Sequence, residues 1–142
     1  MNWQQKEICI SSKPRGFHLI TREIIENFSE INKISKGILH IFIKHTSASL
    51  TINENSDSTV QLDFEDHFNE MVPENQPYYR HTMEGSDDMP AHLKSSILGS
   101  SIQLPITEGS LNLGTWQGIY LCEHRNHSVP RTLVLTAWGI ED

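Results

Sequence analysis

The sequence predicts an α+β fold: a compact single domain over residues 1–142, with antiparallel strands forming a sandwich-like sheet layer and about three helices. Three observations predict it. Runs with period-2 alternation, such as Ile38 to His45, recur and are bounded by Gly, Pro and Ser turns. Other stretches carry apolar residues at helical spacing. The two kinds do not alternate regularly, which argues against a doubly wound parallel sheet. A chain of 142 residues is long enough to bury an ordinary core.

Trp3 to Ile10 reads as a strand, and Lys13-Pro14-Arg15-Gly16 as a turn. Thr21 is placed to cap a helix on which Ile20, Ile24, Phe28 and Ile31 share a face. Beyond Gly37, Leu39, Ile41 and Ile43 alternate along a strand, and His45 ends it on the same face. His40 and Phe42 take the other face. A small-residue turn, His45 to Ser49, leads into a second strand at Leu50 to Glu54. Ser56 is placed to cap the next helix, with Asp57 in its first turn. Val60, Phe64, Phe68 and Met71 give that helix its apolar face, Glu65 and Asp66 face water, and Pro73 closes it. Glu74 to Arg80 is a loop.

The densest run of chemistry follows, HTMEGSDDMPAHLK at residues 81–94. It packs two histidines, Glu84, Asp87 and Asp88 beside Gly85 and Pro90. Asp87 or Asp88 can cap a helix with Pro90 in its first turn, where a missing N–H costs nothing. Met89, Leu93 and Ile97 then form one apolar stripe, and Gly99 ends the helix. The same residues would also suit a capped surface helix beside a solvated acidic loop. Ser101 to Ile106 is a strand, and Glu108-Gly109-Ser110 a turn. Thr115 to Arg125 reads as a long strand with Gln117, Ile119, Leu121, Glu123 and Arg125 in one phase. Ser128 to Arg131 turns the chain into a last strand, Thr132 to Ile140.

Charge narrows the function. The net charge is -7 with only 11 Lys and Arg, which argues against a broad nucleic-acid-binding face. No apolar run is long enough to span a membrane. The first residues lack the apolar core of a signal peptide, and Cys9 and Cys122 form no CxxC or disulfide framework, so a reducing cytoplasm is expected.

Three long motifs, HTSASLTINENSD at 45–57, HTMEGSDDMPAHLKSSILGSS at 81–101 and GTWQGIYLCEHR at 114–125, with RGFHLIT at 15–21, resemble the YjbQ family. The resemblance implies a compact α+β fold rich in antiparallel strands, a homotrimer and a weak, secondary thiamine-phosphate synthase activity. Its polar positions fall on His45, Asn53, Glu54, Asp57, His81, Glu84, Asp87, Asp88, His92, Gln117, Glu123 and Arg125.

In that reaction a pyrimidine methylene loses pyrophosphate and is captured by a thiazole nitrogen. Carboxylate-held divalent metal and cationic side chains can stabilise the leaving charge. The catalytic candidates are His45, His81, Glu84, Asp88, Glu123 and Arg125. The substrate-binding candidates are Asn53, Asp57, Asp87, Lys94, Thr115 and Gln117, with Asn53 and Gln117 suited to a pyrimidine edge. His45, His81 and His92 are the candidate ligands of a divalent metal, magnesium or zinc. The expected partner is a small phosphorylated metabolite. Two other readings stay open: a metal-dependent hydrolase or transferase on another phosphorylated metabolite, and a non-catalytic trimeric ligand-binding module. The single-site expectation is that the end of the Ile38–His45 strand, the His81–His92 segment and the Glu123 end of the long strand converge.

Overall fold

Eight strands and three α-helices appear in the computed structural model, which describes residues 1–141. In chain order they are β1 (Asn2–Ile10), β2 (Gly16–Leu19), α1 (Thr21–Asn27), β3 (Lys36–Ile43), β4 (Ala48–Glu54), α2 (Ser58–Met71), α3 (Asp88–Leu98), β5 (Ser101–Thr107), β6 (Ser110–Leu111), β7 (Gln117–Glu123) and β8 (Arg131–Ile140), with a 3-10 turn at Ser29–Lys33. All strand pairs are antiparallel. One sheet runs β1-β8-β3-β5-β6 and the other β2-β7-β4.

The period-2 pattern explains how the sheets meet. Leu39, Ile41 and Ile43 of β3 and Leu133, Leu135 and Ala137 of β8 point to one face. Leu50 of β4 with Ile119 and Leu121 of β7 point back at them, and all belong to one buried cluster. Ile20, Ile24, Phe28 and Ile31 close its end as their spacing predicts. Each of the Leu, Ile and Phe side chains contributes about 1.5–3 kcal/mol by leaving water. The hairpin from β5 to β6 turns through Glu108 and Gly109, both at positive φ (52° and 76°). β2, which follows the predicted turn and shares only Gly16 with it, was not predicted: four residues are too few to show a period.

The helix caps differ from expectation. Thr21 does not cap α1; its hydroxyl accepts the Ile119 N–H at 2.8 Å and ties the helix to β7. α2 is capped by Asp57, whose Oδ1 accepts from Thr59 N at 2.9 Å, rather than by Ser56. Phe64 and Phe68 of α2 pack on Phe17, with ring centroids 5.2 and 5.8 Å apart. Met71 instead stays 48% exposed. Glu65 does not face water: with Glu74, Asn69 and Asn126 it binds the Arg15 guanidinium.

α3 presents a different face from the one its apolar stripe predicts. It packs on β4 and buries Asp88, Pro90, Ala91 and Lys94, while Ile97 is 56% exposed. Met89 and Leu93 line a cavity with Tyr78 and Tyr79 of the preceding loop. Neither Asp87 nor Asp88 caps the helix with its side chain. Both carboxylates are drawn to another partner.

Candidate metal centre

That partner is Arg125, two residues beyond β7. Its Nε donates to Asp87 Oδ2 at 2.9 Å, its Nη1 to Asp88 Oδ1, and its Nη2 to the Glu84 carbonyl at 2.9 Å. Asn126 N adds a second bond to Asp87 Oδ2 at 2.8 Å. One guanidinium thus fixes both acids and the loop that precedes α3. The loop turns at Gly85, φ 110°; a Cβ there would sit 2.9 Å from Asp87 Oδ1. Burial alone would raise the Asp87 and Asp88 carboxyls. For Asp87 the Asn126 amide and Arg125 outweigh it, and for Asp88 His81, Arg125 and His92 do, so both lie below the ordinary carboxylate range.

With Oδ1 committed to Arg125, Asp88 turns Oδ2 toward two imidazoles. His81 Nε2 lies 2.6 Å away and His92 Nε2 3.1 Å away. The ligand-type atoms of His81, Asp88 and His92 all fall within 4.8 Å of one another. Asp88 is the buried floor, with its side chain 2% exposed; the imidazoles are open to solvent at 43% and 31%.

The His92 tautomer follows from its other nitrogen. Nδ1 is 3.0 Å from the Thr46 carbonyl, which can only accept, so Nδ1 carries the proton. Nε2 then faces the Asp88 carboxylate, as an N–H in the imidazolium or as a lone pair where a cation replaces that proton. Two acceptors at that distance repel unless a proton or a cation lies between them. A backbone carbonyl fixing Nδ1–H while Nε2 stays free is the usual orientation of a metal-binding histidine. Two imidazoles and one carboxylate suit zinc and similar ions better than magnesium, which takes oxygen ligands.

His45 is corrected as a ligand. Its Nε2 accepts the Thr132 N–H at 2.8 Å, so that lone pair is spent. Burial and Arg131 keep its imidazole below the ordinary value despite Glu123, consistent with a neutral acceptor. It still lines, with His92, Ser95, Ser96 and Ser100, a cavity of about 420 Å³ next to the cluster. Glu123 is corrected as a catalytic group: it is fully buried in a two-bond pair with Arg131 (2.8 and 2.5 Å). Its part is to position. Arg131 reaches Ser47 Oγ at 3.2 Å, and His124 N bonds the Ser47 carbonyl at 3.3 Å. These contacts hold the turn that carries His45 and the Thr46 carbonyl.

Lys94 is also corrected. It is 1% exposed, donates to Asn69 Oδ1 at 2.7 Å and cannot meet a substrate from there. Arg125, with Asp87 and Asp88, is an internal clamp rather than a free phosphate binder. Glu84 alone of the loop acids keeps an exposed carboxylate, 4.0 Å from His81 Nε2. Asn53, Asp57, Thr115 and Gln117 do not join the cluster. Asn53 pairs with Gly118 at one end of β7 while Ala48 pairs with Glu123 at the other. Six residues of strand, about 20 Å, separate the two ends. There Asn53 Oδ1 accepts from Glu54 N, and Gln117 Oε1 from Gly114 N.

Sequence reasoning missed three polar groups, of which Arg131 and His124 are buried and Arg15 half-buried. Arg15 gathers partners 50 to 111 residues away. Arg131 pairs with Glu123. His124 bonds Ser49 at 2.8 Å and leaves Nδ1 without a partner among the described residues. Burial, with Lys94, Arg15 and Arg131, pushes the His124 imidazole down to about 3. RGFHLIT and CEHR, as motif text, marked Arg15 and His124, and no motif marked Arg131.

Comparison with known proteins agrees with this architecture. Residues 6–140 match the family described as UPF0047 protein YjbQ-like. A UPF0047 protein YjbQ from Salmonella typhimurium is 54% identical over 137 residues, covering 96% of this chain and 99% of the relative. The UPF0047 protein YugU of Bacillus subtilis is 45% identical over 104 residues, 73% of this chain and 76% of that one. A crystal structure of a YbjQ-like protein of unknown function from Sulfolobus solfataricus superposes with a TM-score of 0.83 at 26% identity, over 98% of this chain and 99% of that chain. With a family match over nearly its whole length, the chain belongs to the YjbQ-like UPF0047 family.

Proposed function

We propose that the protein is a metal-dependent enzyme acting on a small phosphorylated metabolite, with His81, Asp88 and His92 as its metal ligands. The observation that carries this is the Nε2 of His92, aimed by the Thr46 carbonyl at the buried Asp88 Oδ2, with His81 alongside. A zinc-type ion held there would supply Lewis-acid charge to a phosphate oxygen. The chain's own residues do the rest. Arg125 holds Asp88 ionised and oriented, and Glu123 and Arg131 hold the turn that aims His92. His45, a neutral imidazole with its proton on Nδ1, lines the adjoining cavity beside Ser96 and Ser100, whose hydroxyls can donate to oxyanions.

Within that class we assign slow thiamine-phosphate formation from a pyrimidine methyl pyrophosphate and a thiazole phosphate. Its support is the motif resemblance; no side-chain nucleophile is required, and among the described residues Cys122, with its thiol pushed up to about 12 by burial, offers none. The test is pyrophosphate release that requires both substrates and metal. Asp88→Asn and His92→Ala should each lower it at least 100-fold with an unchanged circular dichroism spectrum, and His40→Ala should leave it within twofold. Turnover unaffected by both site variants would reject the assignment. We further place the protein in the cytoplasm as a homotrimer. The support for the trimer is the motif resemblance together with the usual closed cyclic symmetry of small oligomers, and light scattering that returned a monomer mass would contradict it. Among the described residues no helix is long and apolar enough to cross a membrane.

A further inference from the structure

We infer that Arg80 is the anion-binding residue of this site, a part that the motif reading gave to Arg125 and Lys94; the inference rests on the metal centre proposed above. Arg125 spends its guanidinium on Asp87, Asp88 and the Glu84 carbonyl, and Lys94 is buried against Asn69. Arg125 cannot turn to a substrate without leaving buried acids unpaired, and Lys94, 1% exposed, does not reach the surface. Arg80 is different. It is exposed, it makes no ion pair or side-chain hydrogen bond among the described residues, and it precedes His81 in the chain. Arg80 and His81 line the same cavity, about 340 Å³, with Tyr78, Tyr79, Met89 and Leu93. That cavity lies on the His81 side of the cluster, while the serine-lined cavity lies on the His92 side.

Charge makes the residue necessary rather than convenient. Glu84, Asp87 and Asp88 bring three negative charges to the cluster, and Arg125 returns one positive, a balance of two negative. A divalent ion brings this only to neutrality. Arg80 tips it positive at the mouth, where a phosphate must arrive, and its planar fork suits two phosphate oxygens at once. The apolar and aromatic walls beside it would take the organic part of the same molecule.

The experiment uses the zinc-loaded full chain and phenyl phosphate as the probe, with binding read by calorimetry and zinc content by elemental analysis. Arg80→Ala should keep its zinc and lose at least about tenfold in phenyl phosphate affinity. Arg80→Lys should recover part of the loss, and Arg22→Ala on α1 should bind as wild type. Zinc retained with phenyl phosphate affinity within twofold of wild type in Arg80→Ala overturns the inference and leaves the metal centre standing. Wild-type protein that holds zinc but binds no phenyl phosphate at millimolar concentration also overturns it. Wild-type protein that takes up no zinc overturns the metal centre, and the inference with it.

Discussion

The two ends of β7 make the most instructive comparison in this molecule. Both carry the residue types of a binding site: Glu123 and Arg125 at one end, Gln117 with Asn53 and Thr115 at the other. At the Gln117 end, Asn53 and Gln117 satisfy backbone amides within a few residues of themselves and stay exposed. At the Glu123 end, groups from β4, the loop before α3, α3 itself and the start of β8 converge, and several are fully buried. Residue type marks where chemistry is possible. What separates the two ends is whether the fold brings distant polar groups together and leaves one of them, Nε2 of His92, facing an acceptor.

If that difference is real, the two ends must respond unequally to substitution. The largest effect should come from Arg125→Ala, which leaves two mostly buried carboxylates side by side. We expect a loss of about 3 kcal/mol in urea denaturation, and Arg125→Lys should recover part of it. A loss under about 0.5 kcal/mol would mean that the clamp contributes nothing and that the acids relax into water.

A smaller effect should appear with pH. His124 has its proton affinity depressed in the folded protein, so the unfolded chain binds a proton first as pH falls below about 6.5. Stability therefore drops progressively from there toward the folded value of about 3, by about 2 kcal/mol at pH 5. Asp87 and Asp88, also depressed, add their loss only below the ordinary carboxylate range. The check is a comparison of wild type with His124→Gln: the slope between pH 6.5 and 5 should flatten in the variant, and an equal slope would assign the effect elsewhere.

The smallest effects belong to the other end. Asn53→Ala and Gln117→Ala should each change stability by at most about 1 kcal/mol and leave metal affinity as in wild type, because each removes one exposed local hydrogen bond. A tenfold loss of metal affinity in either would join the two ends into one site.

The fold was legible because its signals are local and periodic. Leu39, Ile41 and Ile43 announce a core strand, and Asp88 to Gly99 announce a bounded helix. The face of α3 was not legible. Met89, Leu93 and Ile97 form the apolar stripe, yet the helix buries Ala91 and the long stem of Lys94, whose amine finds Asn69 across 25 residues. The site was half legible for the same reason. His81, Asp88 and His92 sit within a dozen residues, so their clustering could be read. That His45 spends its nitrogen on Thr132 and that Glu123 belongs to Arg131 depends on pairings across 87 and 8 residues that no local pattern encodes.

The central claim is that one ion is held by His81, Asp88 and His92. Anomalous diffraction at the zinc edge, on crystals of the wild-type protein soaked with zinc, tests it most directly. One strong peak is expected about 2.0–2.2 Å from the Nε2 atoms of His81 and His92 and from Asp88 Oδ2. A zinc peak on His45 instead, or no peak at the His81–Asp88–His92 cluster, would contradict it.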